Sequence, residues 1–320
     1  MNSNRYAREL PIIIFTALVM VTFSVATQNF LSIGNLRVLG DQSAQIGIVS
    51  VTVTMVIILG GIDLSVGSLM ALVAAIVGML LNQSVAPPVA CIVGLAVGAF
   101  CGLINGLLIT LVGIPDIIAT LGTMYCLRGI AVIISGGAWL NNFPSSFDFY
   151  GKALILGVPF PVLFWLFLSW LASFVLNGTW FGRRIYAIGG NSNAARLAGI
   201  DAIGIKTRVY VMSGITAAIA GIVFASKTGS VQVSTLGLNM AFNALAAVLI
   251  GGASIFGGAG TVLGTTFGVI ALAAIQNGLI QIRASPFWID ATVGGLIVAA
   301  VFLNTFYRLR EERERSAILQ

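Results

Sequence analysis

Histidine is absent from this sequence of 320 residues, and charged residues make up only 8% of it. The missing histidine removes the commonest metal ligand and the usual general base of hydrolases. No G-x-x-x-x-G-K-[ST] phosphate-binding loop occurs either, which argues against nucleotide hydrolysis by this chain. We therefore predict that the chain is not an enzyme and that it holds neither a metal nor a cofactor.

The scarcity of charge also excludes a water-soluble particle, because soluble domains contain roughly a quarter charged residues. Hydrophobic residues instead make up 58% of the chain, and the mean hydropathy is +1.04. Lipid is then the main solvent. No polar stretch is long enough for a separate soluble domain, so residues 1–320 are predicted to form one transmembrane domain. Cysteine is also rare, and Cys91, Cys101 and Cys126 all lie in apolar runs, where they are predicted to be small packing residues.

Apolar runs of membrane-spanning length, about 17–25 residues, predict an all-α, polytopic membrane protein with about ten transmembrane helices. The eighth run is short and ends in glycine, so a full and a partial crossing are both open there. The predicted spans are 11–28, 43–60, 66–82, 88–112, 116–135, 154–177, 208–226, 242–255, 258–282 and 286–306.

The basic residues predict the orientation of these spans. With a cytoplasmic N-terminus, ten spans place eleven lysines and arginines on the cytoplasmic side and four on the other, as the positive-inside rule requires. Both termini are then cytoplasmic, together with a segment near 178–207 and a tail near 307–320. This distribution fits membrane topology better than a nucleic-acid partner. The eleven are Arg5, Arg8, Arg183, Arg184, Arg196, Lys206, Arg208, Arg308, Arg310, Arg313 and Arg315, and the four are Arg37, Lys152, Lys227 and Arg283.

Glycine is abundant, and it forms two ladders with four-residue spacing, a spacing that lets helix backbones approach closely. Each ladder has two possible roles, the packing of helices within one chain and a contact between subunits. We favour packing within the chain. The ladders are Gly94, Gly98, Gly102 and Gly106 in the fourth span, and Gly260, Gly264 and Gly268 in the ninth.

A glycine-broken internal repeat connects the two halves of the chain. Aligning residues 59–68 with residues 250–259 pairs three glycines between flanking apolar runs. Such interrupted hydrophobic segments are typical of transport pathways, where unwound backbone can bind a polyhydroxylated solute. Asp63 has two possible roles. It contacts the solute, binds a proton or acts as a gate, or it is part of a helix cap, which we favour. In a cap, Asp63 or Ser65 would accept amide hydrogen bonds at the start of the third span. The predicted pathway residues are Gly60, Gly61, Asp63, Ser65, Gly67, Gly251, Gly252, Ser254 and Gly258.

The longest polar stretch follows the sixth span and predicts a short helix on the cytoplasmic face. Asn191 or Ser192 can cap its start, and Gly199 can end it. A helix bounded by loops at this position suits docking to a separate ATPase that drives transport. The predicted coupling residues are Arg183, Arg184, Gly190, Asn191, Ala194, Ala195, Arg196 and Gly199.

Together these segments resemble the permease subunits of ribose-type carbohydrate importers of the ABC superfamily, whose members serve ribose, xylose, arabinose, galactose, rhamnose or autoinducer-2. The similar segments are Gly60–Ser68, Gly251–Gly260 and Gly189–Ile200. The resemblance implies a bacterial inner-membrane importer that moves a sugar-like solute by alternating access. It also implies a cytoplasmic ATPase subunit with two nucleotide-binding domains, an extracytoplasmic solute-binding protein, and a second permease as a homodimer or heterodimer.

Two features leave alternatives open. Ala241 and Asn243 replace an acidic pair found in many family members, which bears on the solute or on docking of the binding protein. Residues 136–153 carry aromatic side chains that suit an interfacial belt, sugar stacking or partner docking. The aromatic residues are Trp139, Phe143, Phe147, Phe149 and Tyr150.

An ion-coupled secondary transporter is the rival interpretation. It would share the span count and the broken helices, and it would place ionisable groups in the membrane. Asp63, Asp116 and Arg128 are the candidates for such groups.

Overall fold

The computed structural model describes residues 3–318, with side chains described for residues 9–302 and 304–306; the side chains of both terminal basic clusters lie outside this part. The described chain is helical throughout apart from short strands and turns, which confirms the all-α prediction. The helices are α1 Ser3–Ala26, α2 Ile33–Ile58, α3 Val66–Asn82, α4 Pro87–Thr110, α5 Asp116–Ser135, α6 Phe149–Lys152, α7 Phe160–Gly178, α8 Trp180–Gly190, α9 Ser192–Leu197, α10 Ala202–Thr228, α11 Met240–Ile250, α12 Val262–Gln281 and α13 Pro286–Ile318. The strands are β1 Trp139–Leu140, β2 Leu154–Ile155, β3 Val158–Pro159 and β4 Val231–Gln232, and one 3-10 turn covers Ser145–Phe147.

Eight of the described helices are long and apolar enough to cross a membrane, and α3 and α11 are shorter apolar helices. At about 1.5 Å per residue, the 11 residues of α11 extend only about 16 Å. That is about half of a bilayer's hydrocarbon thickness. The short eighth span is thereby explained, because its helix ends at the second glycine break.

Several predicted boundaries are wrong, because polar residues that cap helices lie inside or beside the apolar runs. The helix α2 begins at Ile33 rather than at residue 43, behind a Ser32 cap. The helix α10 begins at Ala202 rather than at 208, behind Asp201, and α12 begins at Val262 rather than at 258. The sixth span begins at Phe160 rather than at 154, because residues 154–159 form the β2–β3 hairpin.

The core lies around α2, α3 and α10, and the outer helices expose their apolar side chains. In the most apolar stretches of α2 and α10, 83% and 72% of the residues are buried, whereas the fraction is 11% in α1 and 6% in α13. A soluble protein would not expose such helices, so this arrangement fits a bundle surrounded by lipid.

The first glycine ladder confirms the prediction of packing within one chain. A Cβ added at Gly98 would clash with the Gly214 carbonyl, and one added at Gly106 would clash with the backbone of Thr207. Both neighbours belong to α10. The second ladder is shorter than predicted, because Gly260 lies outside α12 with φ +151°.

The prediction for cysteine is confirmed at two positions and wrong at the third. Cys91 and Cys101 are buried, whereas Cys126 is exposed on α5. All three are free thiols. Apolar sequence neighbours do not distinguish a core-facing position on a membrane helix from a lipid-facing one, since both surroundings are apolar.

Candidate functional site

The two glycine breaks are the same structural motif, a left-handed turn that ends a helix. After α2, the Gly60 amide donates to Ile57 and the Gly61 amide to Val56. After α11, the Gly252 and Ala253 amides repeat this pair of bonds with Leu249 and Val248. Gly60 and Gly252 have φ values of +79° and +85°, which glycine adopts without strain.

This equivalence corrects the register of the predicted repeat by one residue, because Gly60 corresponds to Gly252 and not to Gly251. Counting identical letters could not reveal the shift, since both breaks contain adjacent glycines. The second break is also longer: α3 begins six residues after Gly60, at Val66, and α12 begins ten residues after Gly252, at Val262.

The end of α8 lies against both breaks. Five glycines meet there, and we call them the glycine junction. A Cβ added at Gly189 would clash with the Ile58 carbonyl and with the Gly258 amide nitrogen. A Cβ added at Gly257 would approach Gly60 and the Gly189 carbonyl. Three backbone segments are therefore packed at distances that exclude side chains. The junction consists of Gly60, Gly189, Gly190, Gly257 and Gly258.

Hydrogen bonds hold the junction together across the same three segments. The Gly258 amide donates to the Ile58 carbonyl at 2.8 Å, which joins the second break to the end of α2. The Tyr186 hydroxyl on α8 donates to the Gly260 carbonyl at 2.7 Å. A displacement of α8 would therefore move both breaks, since the backbone of α8 contacts the backbone of both directly.

Asp63 is buried in a polar cluster that fixes the first break. Its Oδ1 accepts the Ser65 amide at 3.0 Å and the Ser65 hydroxyl at 2.6 Å. Its Oδ2 accepts the Ser213 hydroxyl of α10 at 2.7 Å. Asn105 of α4 donates to Ser65 at 2.8 Å, and Ser65 itself makes no side-chain cap bond. The carboxylate thus caps the chain just before α3 and ties it to α4 and α10.

The other two ionisable candidates occupy different places. Asp116, the first residue of α5, lies beside Gly61, where an added Cβ would also approach the Tyr210 hydroxyl. The Arg128 guanidinium donates to the Val233 and Leu236 carbonyls at 2.8 and 2.6 Å, which fixes the segment between β4 and α11.

The remaining predicted pathway residues are distributed over the bundle rather than gathered at one surface. Gly67 packs against the backbone of Gly237, and Gly251 packs against that of Gly264. Ser254 lies within the second break, where its hydroxyl accepts the Phe256 amide. Gly60 and Gly252 are exposed.

The predicted cytoplasmic segment contains two helices, α8 and α9, rather than one. Asn191 caps α9 by accepting the Ala194 amide, and Gly199 follows the helix end with φ +75°, as predicted. Ala195 is 4% exposed, so it faces inward, whereas Leu197 is 88% exposed.

Sequence reasoning missed Leu197, Gly189 and Gly257. A leucine in this helix gave no sign of exposure, and the contacts of both glycines are long-range. The exposed members of the predicted set are Arg183, Arg184, Gly190, Asn191, Ala194, Arg196 and Gly199.

The opposite end of the bundle carries an open cleft of about 620 Å³ between the α3–α4 turn and residues 141–146. None of its lining residues is charged, and its polar groups are amides and hydroxyls. The adjoining aromatic residues mainly pack on one another: Phe147 is fully buried, and its ring meets Phe143 and Tyr150. The polar lining residues are Asn82, Ser84, Asn141, Asn142 and Ser146.

The two positions that depart from the acidic pair lie at the start of α11. Ala241 is buried there. The Asn243 side chain accepts a hydrogen bond from Gln276 of α12 at 3.2 Å, so it joins two helices of the same chain.

Comparison with known proteins agrees with this architecture. Residues 38–301 match the family described as branched-chain amino acid transport system / permease component. The chain is 33% identical over 312 residues to the autoinducer 2 import system permease protein LsrC of Escherichia coli (strain K12 / DH10B), covering 96% of this chain and 89% of that protein. It is 36% identical over 289 residues to the ribose import permease protein RbsC of Bacillus subtilis (strain 168), covering 90% and 89%. No solved structure shows a significant match. The chain belongs to this permease family and, within it, to the ribose-type importers of the ABC superfamily.

Proposed function

We propose that this permease moves a monosaccharide or a sugar-like small solute across the bacterial inner membrane by alternating access, driven by ATP hydrolysis on a separate subunit. The glycine junction is the observation that carries the proposal. It brings the predicted coupling segment into direct backbone contact with both predicted glycine breaks. A push on α8 from the cytoplasm would then reach the ends of α2 and α11 without passing through mobile side chains.

The solute class rests on the relatives and on the chemistry of the breaks. The similar proteins are named for autoinducer 2 and ribose import. Around the junction the available groups are backbone amides and carbonyls, which can bind hydroxyl groups without a fixed charge. Of the two carboxylates beside the first break, Asp63 already accepts three hydrogen bonds from the protein, and Asp116 lies next to Gly61 and the Tyr210 hydroxyl. These features favour a neutral polyhydroxylated solute.

The proposed orientation places the α8–α9 segment and both termini in the cytoplasm. Lys227 pairs with Asp41 at the far end of α10, and the 27 residues of α10 separate that pair from α9. Three basic residues of α8 and α9 therefore lie at one end of the bundle and Lys227 at the other, which supports the positive-inside assignment.

The proposed partners follow from this orientation. A cytoplasmic ATPase subunit with two nucleotide-binding domains would dock on α9, where Arg196 and Leu197 are exposed next to the junction. An extracytoplasmic solute-binding protein would dock at the opposite end, where the uncharged cleft opens. A second permease, identical or related, would complete the transporter.

Co-purification tests the docking of the ATPase. The tagged permease is extracted in mild detergent, and the co-purified ATPase is identified and quantified by mass spectrometry. Leu197→Asp should remove most of the ATPase, because an exposed apolar anchor becomes charged. Leu156→Asp is the matched control, because Leu156 is fully exposed in the β2–β3 turn, and the 19 residues of α7 separate that turn from α8.

Two results would contradict the proposal. Full recovery of the ATPase with Leu197→Asp would remove α9 as the docking site. A wild-type chain that purifies without an ATPase, and that moves solute in vesicles without ATP, would make the chain a secondary transporter. Ala195 is unsuitable as the test position, because its burial means that a bulky residue there would disturb the fold.

A further inference from the structure

An aromatic ladder runs along the outer face of α7. Phe167, Trp170 and Phe174 are each more than half exposed and follow one another at helical spacing. Their ring centroids are 6.0 and 6.2 Å apart, with interplanar angles of 30° and 18°. A continuous apolar surface of stacked rings suits acyl chains. The Phe174 ring lies against Gly178, the last residue of α7, and Trp180 follows two residues later and is half exposed.

The helix α8 is locked against the end of α7, so Trp180 has a fixed position relative to the ladder. A Cβ added at Gly182 would clash with the backbone of Leu176, and the Thr179 hydroxyl accepts the Gly182 amide. Ile185 and Ile188 bury the opposite side of α8. The exposed side of its first turns consists of Trp180, Arg183 and Arg184.

The Arg184 guanidinium lies 4.6 Å from the centroid of the Trp180 ring. This cation–π contact holds the planar group in place and leaves its edge free to donate hydrogen bonds. Among residues 9–302 and 304–306, the ion pairs are Lys152 with Asp148 and Lys227 with Asp41, and neither arginine belongs to one. Two adjacent guanidinium groups therefore have no carboxylate partner within the described side chains.

We propose that Trp180, Arg183 and Arg184 form a binding site for the phosphate headgroup of an anionic phospholipid in the cytoplasmic leaflet. The acyl chains would lie along the aromatic ladder of α7. Charge complementarity selects the headgroup, and guanidinium groups suit phosphate because they donate two parallel hydrogen bonds. The leaflet, but not the site itself, rests on the orientation proposed above.

This site divides the predicted coupling residues into two groups. Arg183 and Arg184, in the first turns of α8 and shortly after the ladder in the sequence, would bind lipid, whereas α9 would keep the contact with the ATPase. The bound headgroup would also hold the start of α8 at the membrane surface, at the end opposite the glycine junction. The lipid would then anchor the element that connects the ATPase to the two breaks.

The test uses spin-labelled lipids with the full chain in nanodiscs, without any partner protein. Electron paramagnetic resonance measures the immobilised fraction of labelled phosphatidylglycerol relative to labelled phosphatidylcholine. The wild-type chain should prefer phosphatidylglycerol, and Arg184→Gln should lower that preference about fivefold, the contribution of one basic residue near an anionic surface. Trp180→Leu should lower it as well, because Arg184 loses its support.

Arg196→Gln is the matched control, because it removes the same charge from the neighbouring helix α9 and should keep the preference for phosphatidylglycerol. An equal loss with Arg196→Gln would show a general charge effect and overturn the site. If the Arg183→Gln/Arg184→Gln double variant kept the full preference for phosphatidylglycerol, that result would also overturn the proposed site. Neither result bears on the transport proposal, since the measurement involves no ATPase and no solute.

Discussion

The Cα of Gly189 in α8 packs so closely against the Ile58 carbonyl of α2 that no side chain fits between them. The same carbonyl accepts the Gly258 amide from the second break. One backbone oxygen is therefore the meeting point of three segments that lie far apart in the sequence. We regard this contact as the link through which movement of α8 reaches the membrane-embedded helices.

The first prediction compares two adjacent glycines at the end of α8. Gly189→Ala should lower the free energy of unfolding by about 1–3 kcal/mol, because the new methyl group overpacks the junction. At Gly190, the space around an added Cβ is open. Gly190→Ala should therefore change the stability by less than about 0.5 kcal/mol. Thermal unfolding in detergent measures both, and equal stabilities would show that the junction is not tightly packed.

The second prediction separates a structural carboxylate from an ion-coupling one. In Asp63→Asn the carboxamide can still accept from Ser65, and the Ser213 hydroxyl can reorient to accept from the new amide group. Uptake of labelled solute should remain within about threefold of wild type, since the lost hydrogen-bond energy is on the order of 1 kcal/mol. Asp63→Ala should abolish uptake, because the Ser65 and Ser213 hydroxyls lose their common acceptor, and the Ser65 hydroxyl that accepts from Asn105 is no longer held in place.

If Asp63 instead couples transport to an ion, the two variants should behave alike. A group that binds a proton or a cation needs its charge, so Asp63→Asn would then be as inactive as Asp63→Ala. That outcome, with both variants folded and inserted, would favour the secondary transporter over the importer.

The sequence predicted membrane class, helical fold and caps well, because these depend on local composition and on residue type. Asn191 and Gly199 illustrate this, since a cap and a helix stop require only their immediate neighbours. Burial on α9 and exposure on α5 were not predictable. Ala195 faces inward although the charged Arg196 adjoins it, and Cys126 faces outward although Tyr125 and Leu127 on either side are apolar. In a membrane, lipid and protein core are similar solvents, so hydropathy does not identify the buried face.

The candidate site was predicted in its parts but not in its assembly. Both glycine breaks and the polar segment between α7 and α10 carried recognisable signals. Their meeting at Gly60, Gly189 and Gly258 depends on tertiary contacts between residues at least 69 positions apart in the sequence, the separation of Gly189 and Gly258. The register error at Gly252 has a related cause, since φ values and not residue letters define the turn.

The third prediction concerns the glycine ladder of α4. Gly98→Ala should destabilise the chain by about 1–3 kcal/mol, because the methyl group would meet the Gly214 carbonyl and the Ala218 side chain. Gly122 is the matched control, a helical glycine of α5 with open space around it. Gly122→Ala should be neutral or slightly stabilising. Thermal unfolding measures the stability of both variants. An unchanged melting temperature for Gly98→Ala would contradict the close packing of α4 on α10.

The fourth prediction concerns Arg128, the one basic residue within the apolar length of α5. Its guanidinium donates to two carbonyls of the segment that precedes α11, and Gly67 of α3 packs against Gly237 of the same segment. Removing the guanidinium should therefore loosen residues 233–239. In Arg128→Met, amide exchange there should rise at least about fivefold, since the loss of charge-assisted hydrogen bonds costs on the order of 1–3 kcal/mol.

Hydrogen-exchange mass spectrometry of three variants makes this test specific. Arg128→Lys should give an intermediate exchange rate, because an ammonium group can donate to the same carbonyls but lacks the planar fork. Arg37→Met removes an exposed guanidinium from α2 and should leave residues 233–239 unchanged. If Arg128→Met abolished uptake while exchange in residues 233–239 stayed at the wild-type rate, Arg128 would act on the transported species directly. Arg128 would then be an ionisable group of a secondary transporter. The two hydrogen bonds to Val233 and Leu236 would not explain why this residue is charged.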